Sequence, residues 1–124
     1  MEPARYAALF HDESRSQLRT CARLLLDWER DPSATEPVDG LFRAVHTLKG
    51  MAATMGYGRL AEGAHEVESL LAAVRDGELG AAAGLVDALL GAVDGLERGV
   101  ELAAEGRDAE FDLDALTGLL RRAT

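Results

Sequence analysis

Leu41, Val45, Leu48, Ala52 and Met55 recur at spacings of four and three residues, and the same spacing returns at Leu60, Ala64, Val67, Leu71 and Val74. Only Gly56, Tyr57 and Gly58 interrupt the pattern. Two apolar stripes of helical period joined by so short a break bury themselves best by folding back on each other as an antiparallel hairpin. Upstream, Tyr6, Phe10, Leu18, Cys21, Leu25 and Trp28 give a helix over Pro3 to Arg30 with one slip near Gln17. Asp31 to Pro37 holds two prolines and should be a connector, after which Asp39 would cap the second helix. Asp76 and Gly77 end the third. A fourth helix is expected from about Leu79 to Ala104, with Leu85, Leu89, Leu96, Val100 and Ala103 on one side. Gly106 to Asp112 reads as a loop, and a short helix follows over Leu113 to Arg122. No segment alternates apolar and polar residues as a half-buried strand would. The expected fold is all-α, an antiparallel up-down-up-down four-helix bundle with a short additional C-terminal helix. It forms a single domain over 1–124, with the core bundle at about 4–105 and an extension at 106–124. Gly91, Gly95 and Gly99 share one helical face, which implies close packing or a glycine-rich composition.

Charge narrows the partners. The chain has 22 acidic and 13 basic residues, a formal charge of −9. Nucleic acid and anionic lipid both require a basic footprint that this composition lacks. The longest apolar stretch, Leu79 to Val93, is broken by Asp87 and glycines, so membrane insertion is not expected. A single cysteine, Cys21, cannot form an internal disulfide and falls on the apolar stripe as a small buried hydrophobe. With no N-terminal leader pattern, a reducing, cytoplasmic setting is expected. Trp28 should pack at the end of the bundle near the connector, and His11 has the look of an ordinary surface histidine.

His46 lies off the core stripe, on a face shared with Asp39, Arg43, Lys49, Gly50 and Ala53. A solvated surface histidine is the simplest account, but three features single it out. Gly50, one turn later, sits in mid-helix where glycine costs about 1 kcal/mol relative to alanine, which open space beside the imidazole would justify. Lys49 is the only lysine among the 13 basic residues. A compact, flexible ammonium suits a phosphoryl oxygen that comes and goes better than a planar guanidinium does. Finally, His46 and His65 are symmetric about the glycine break, each about 14 Å from it at about 1.5 Å per residue, so the hairpin can bring them face to face. Glu68, one turn beyond His65, then comes within reach of His46, where a carboxylate accepting one ring N–H would fix the tautomer and leave the other nitrogen as a nucleophile. Val38 to Leu60 carries Arg43, Lys49 and Arg59 against Asp39, a net +2 in an otherwise neutral or acidic chain. A phosphoryl group of about −2 would meet the one electropositive strip.

The run Ala44-Val45-His46-Thr47-Leu48-Lys49-Gly50-Met51-Ala52-Ala53-Thr54-Met55-Gly56-Tyr57 resembles the signature of histidine-containing phosphotransfer (Hpt) domains. His65-Glu66-Val67-Glu68 is similar to the H-x-x-E of the N-terminal phosphotransfer domain of CheA-type chemotaxis histidine kinases, whereas Hpt proteins in general usually lack this second histidine. The likeness covers roughly Tyr6 to Glu105, with its specific residues between Leu41 and Leu71. It implies that His46 is phosphorylated, usually at Nε2, by an ATP-binding kinase domain in the same protein or in trans, and then passes the group to an aspartate of a response regulator receiver domain. It implies further that Glu68 bonds Nδ1, that Lys49 and His65 support the phosphoryl group, and that Gly50, Arg43 and Ala53 meet the regulator. The domain itself would bind no cofactor; ATP and magnesium would belong to the kinase domain, of which this chain could be the N-terminal substrate piece.

Two other readings compete. A metal site could gather His46, His65 and Glu68, since Glu62 to His65 is an E-x-x-H, but a di-iron bundle needs a second such motif, and position 43, where its glutamate would fall, is Arg43. A phosphorylation-independent helical adaptor would use the same face only for docking. No phosphate-cradling glycine loop is present, so the chain is not expected to phosphorylate itself from ATP alone.

Overall fold

A computed structural model describes residues 2–80 and 83–124. Its helices are α1 (Pro3–Arg30), α2 (Glu36–Thr54), α3 (Gly58–Arg75), α4 (Ala83–Ala104) and α5 (Leu113–Arg122), with a 3₁₀ turn at Asp108–Glu110. The architecture is the expected antiparallel bundle: α1 packs on α2 and α4, α2 on α3, and α5 closes over α3 and α4. No strand occurs among the described residues. No helix among them is long and apolar enough to cross a membrane. The apolar stripes supply the core, in which Leu18, Leu25, Leu41, Leu48, Leu60, Leu71, Leu89 and Leu96 are fully buried.

Three boundaries differ from the expectation. α2 begins at Glu36, so Asp39 is a first-turn residue and not its cap. Pro37 does not block the helix, because the first-turn N–H it lacks has no intrahelical acceptor anyway and its fixed φ suits a helix start. α3 begins at Gly58, two residues ahead of Leu60. α4 is described from Ala83; Leu79 lies in a bend and not in the helix, and positions 81–82 of the expected helix fall outside the described residues. α2, α3 and α4 end alike, on Gly56, Gly77 and Gly106 with φ of 78°, 82° and 78°. In each the next residue's N–H reaches back to a carbonyl of the last turn: Tyr57 to Ala52, Glu78 to Ala73, Arg107 to Leu102. That bond satisfies a terminal carbonyl and turns the chain sharply, which keeps the links short.

The gap between Phe10 and Leu18 in the α1 stripe is filled by Ser14, which is fully buried and whose hydroxyl has no hydrogen-bond partner among the described residues. Cys21 is buried as expected, and burial pushes its thiol up to about 12. Trp28 is buried and borders a cavity with Pro32, Val38 and Val74 at the connector end. His11, expected to stand alone on the surface, instead ties α1 to α4: its Nε2 lies 2.8 Å from Glu101, which Arg15 also approaches at 3.3 Å. The bond to Glu101 raises the His11 pKa against the opposing effect of burial.

The segment after α4 is locked to the hairpin that carries His46. The Asp108 carboxylate accepts the N–H groups of Arg59 and Leu60 at 2.9 and 3.0 Å, capping α3 from a distant part of the chain. The Arg59 guanidinium donates in turn to the Phe111 carbonyl. Phe111 then drops into a notch made by two glycines: a Cβ on Gly63 would stand 2.7 Å from its ring, and one on Gly99 3.0 Å. Leu119 approaches Gly91 as closely, at 2.9 Å, so the glycine face of α4 is the seat of α5. Across the bundle, the Phe10 ring meets Tyr57 edge-on at 4.9 Å and fastens α1 to the hairpin turn. Because Phe111 is 3% exposed and fills space that glycines leave open, Phe111→Ala should lower stability by about 3–5 kcal/mol, measured by urea unfolding, while the helices remain formed.

Candidate functional site

His46 projects from the middle of α2 with its side chain 63% exposed, while Glu68 on α3 is 11% exposed beneath it. Glu68 Oε2 lies 2.5 Å from His46 Nδ1, and Glu68 Oε1 accepts from Lys49 Nζ at 2.7 Å. Both carboxylate oxygens are therefore engaged, one by each polar side chain from α2. Burial pushes the Glu68 carboxyl up, but its bonds to Lys49 and His46 outweigh that effect and hold its pKa below the ordinary glutamate range. The carboxylate accepts only, so the proton shared with His46 sits on Nδ1, and in the neutral ring the lone pair is left on Nε2.

The hairpin register explains why Glu68, and not His65, faces His46. Positions 46 and 68 are equidistant from Tyr57, the last residue before α3. His65 lies one turn nearer the break; it is exposed and makes no hydrogen bond among the described residues. Gly50 is exposed next to His46, and a Cβ there would meet nothing within 4 Å. Arg43 and Ala53 are exposed on α2, with Arg43 bordering a shallow depression shared with Gln17, Thr20 and Leu24 of α1.

Periodicity did not point to two further features. An open groove of about 710 Å³ runs beside His46 and Gly50, walled by Tyr6, Leu9, Met51 and Met55. Tyr6 and Leu9 are 48% and 54% exposed, so the head of the α1 stripe faces this groove and not the core. The second is an aromatic contact: the Phe42 ring, one turn before His46, lies nearly parallel to the imidazole with centroids 6.2 Å apart. Arg75 places its guanidinium 4.2 Å from the Phe42 centroid. The available signal was spacing, since Phe42 is four residues before His46 and Arg75 is seven after Glu68, on the same faces of their helices. As for a metal, Lys49 already occupies the second Glu68 oxygen, and no group of three His, Cys, Asp or Glu ligands is gathered among the described residues.

A helical bundle presenting an exposed histidine backed by a buried carboxylate is the arrangement of a phosphotransfer domain, and comparison with known proteins gives the family. The Hpt domain pattern matches residues 5–99. The chain is 51% identical over 61 residues to the chemotaxis protein CheA of Bacillus subtilis, a match covering 49% of this chain and 9% of that protein. It superposes on the CheA phosphotransferase domain from Thermotoga maritima with a TM-score of 0.77 at 35% identity, covering 82% of this chain and 96% of that one. On the phosphorylated P1 domain of CheA3, solved in complex with CheY6 from R. sphaeroides, the TM-score is 0.80 at 30% identity, covering 98% and 99%. The chain thus belongs to the Hpt domain family, in its CheA phosphotransfer branch. It spans about a tenth of the length of the curated relatives it matches.

The depressed pKa of Glu68 sets a sign for stability. Its bonds contribute fully above the range in which an unfolded glutamate titrates, and that contribution is lost as pH falls through the lowered folded value. Urea midpoints at about pH 7 and about pH 3 should therefore differ more in the wild type than in Glu68→Gln, which has no carboxylate to protonate.

Proposed function

We propose that this domain carries a phosphoryl group on His46 Nε2 between an ATP-dependent histidine kinase domain and an aspartate of a response regulator, in a cytoplasmic, chemotaxis-type signalling system. The observation that carries the reading is the engagement of Nδ1 by Glu68, which leaves Nε2 as the accessible ring nitrogen with a free lone pair. In the first step that lone pair attacks the γ-phosphorus of ATP held with magnesium by the kinase domain; the N–P bond forms as the bond to ADP breaks. In the second, an aspartate oxygen of the receiver attacks the same phosphorus and the N–P bond breaks, returning the pair of electrons to Nε2. Glu68 offsets the positive charge that the ring carries while its Nε2 is phosphorylated and its Nδ1 protonated. Lys49 uses one donor on Glu68 and has others to offer a phosphoryl oxygen, and its four-carbon stem lets it follow the group. His65, exposed one turn from Glu68, lies on the same face of α3 and is a second candidate to meet the phosphoryl group.

The groove between α1 and α2 suits the receiver. It offers the apolar side chains of Tyr6, Leu9, Met51 and Met55 next to the reacting nitrogen, and Gly50 removes the side chain that would hold a partner's surface away. Arg43 and Ala53 extend the contact along α2. A similar domain, the phosphorylated P1 domain of CheA3, is known in complex with CheY6, which supports a receiver of that kind as the partner.

Incubation with ATP and the cognate kinase domain should label His46 with an acid-labile, base-stable phosphate, and His46→Gln should abolish labelling. Label retained in that variant would contradict the assignment. Glu68→Gln should slow labelling at least about tenfold without unfolding the bundle, measured as initial rate beside a circular dichroism melt.

A further inference from the structure

We propose that Phe42 and Arg75 are positioning residues for His46, holding the plane of the imidazole that Glu68 alone leaves free; the inference rests on the phosphotransfer reading above. A single hydrogen bond at Nδ1 defines a line and not a plane. The χ2 well of histidine is broad, and this side chain is 63% exposed, so packing on the solvent side does nothing to narrow it. Attack by Nε2 needs its in-plane lone pair aligned with the phosphorus–oxygen bond that breaks, and a tilted ring misdirects it.

Phe42 supplies the missing restraint. It issues from α2 one turn before His46, its ring plane lies within 6° of the imidazole, and the 6.2 Å centroid separation is within the range of favourable aromatic pairs. Phe42 is itself only half-buried. What steadies it is Arg75, whose guanidinium stands 4.2 Å from the ring centroid, a cation–π contact from the last turn of α3. Among the described residues Arg75 has no closer ion pair to hold it elsewhere, the nearest carboxylate, on Asp76, being 3.9 Å away. The two ties to His46 thus come from one face of α3, seven residues apart: Glu68 directly through Nδ1, and Arg75 through Phe42. Arg75 touches neither the imidazole nor the transferred group, and its effect passes through the phenyl ring.

The test uses a donor that needs no protein docking. The whole chain and its Phe42→Leu, Phe42→Tyr and Arg75→Gln variants are phosphorylated with phosphoramidate and, separately, with ATP and the cognate kinase domain. Labelling at His46 is read by mass spectrometry and folding by thermal melts. Phe42→Leu and Arg75→Gln should slow His46 labelling about three- to tenfold with both donors, leaving KM for the kinase-domain reaction unchanged, and Phe42→Tyr should restore the rate. The Nδ1 proton resonance of His46 should broaden in the two slow variants. Wild-type rates in both would overturn the proposal. So would slowing with the kinase domain alone, accompanied by a raised KM, because that is the signature of a docking residue. Should Phe42→Leu fail to fold, Arg75→Gln, whose side chain is 43% exposed, carries the same comparison. A wild-type chain that the cognate kinase does not label at His46 would instead overturn the phosphotransfer reading.

Discussion

A single buried carboxylate organises the working face of this bundle. Glu68 is removed from water, which by itself would favour its neutral form, and it stays ionised because His46 and Lys49 each donate to one of its oxygens. The arrangement also runs in reverse. The exposed imidazole has one nitrogen committed and one free because the carboxylate beneath it has nowhere else to turn. A surface glutamate in the same place would be solvated and mobile, and would hold the tautomer far less firmly.

The rest of the fold keeps Glu68 under His46. The left-handed Gly56 and its Tyr57-to-Ala52 bond set the length of the turn, and the length of the turn sets which residues of α2 and α3 meet. Asp108 caps the first turn of α3, and Phe111 wedges between Gly63 and Gly99, so the C-terminal extension braces the helix that bears Glu68. Small residues in α3 and α4 are not merely permitted here. They make the notch without which α5 could not close.

Much of this was legible in the sequence where the determining interactions are local. The bounds of α1 and α5 and the core stripes follow from apolar period and helix-ending residues, and the contact between His46 and Glu68 follows from their places on facing sides of one hairpin, off the core stripes. Boundaries depart where a local rule has an exception: a proline ordinarily excludes helix, but Pro37 sits in the first turn of α2, which tolerates it. Symmetry about the glycine break sets His65 opposite His46, but Tyr57 adds its own length to the turn and shifts the register by one turn, so Glu68 takes that place. Contacts between distant segments left no local trace. His11 with Glu101 and Asp108 with the start of α3 are each set by packing that period alone does not encode.

Glu68 fixes the tautomer of His46, and this is read directly in the nitrogen-15 spectrum of the imidazole at a pH where the ring is neutral. The wild type should show a protonated Nδ1 and an unprotonated Nε2, with the two tautomers mixed in Glu68→Gln. A wild-type ring protonated at Nε2, or the same tautomer ratio in both proteins, would contradict it.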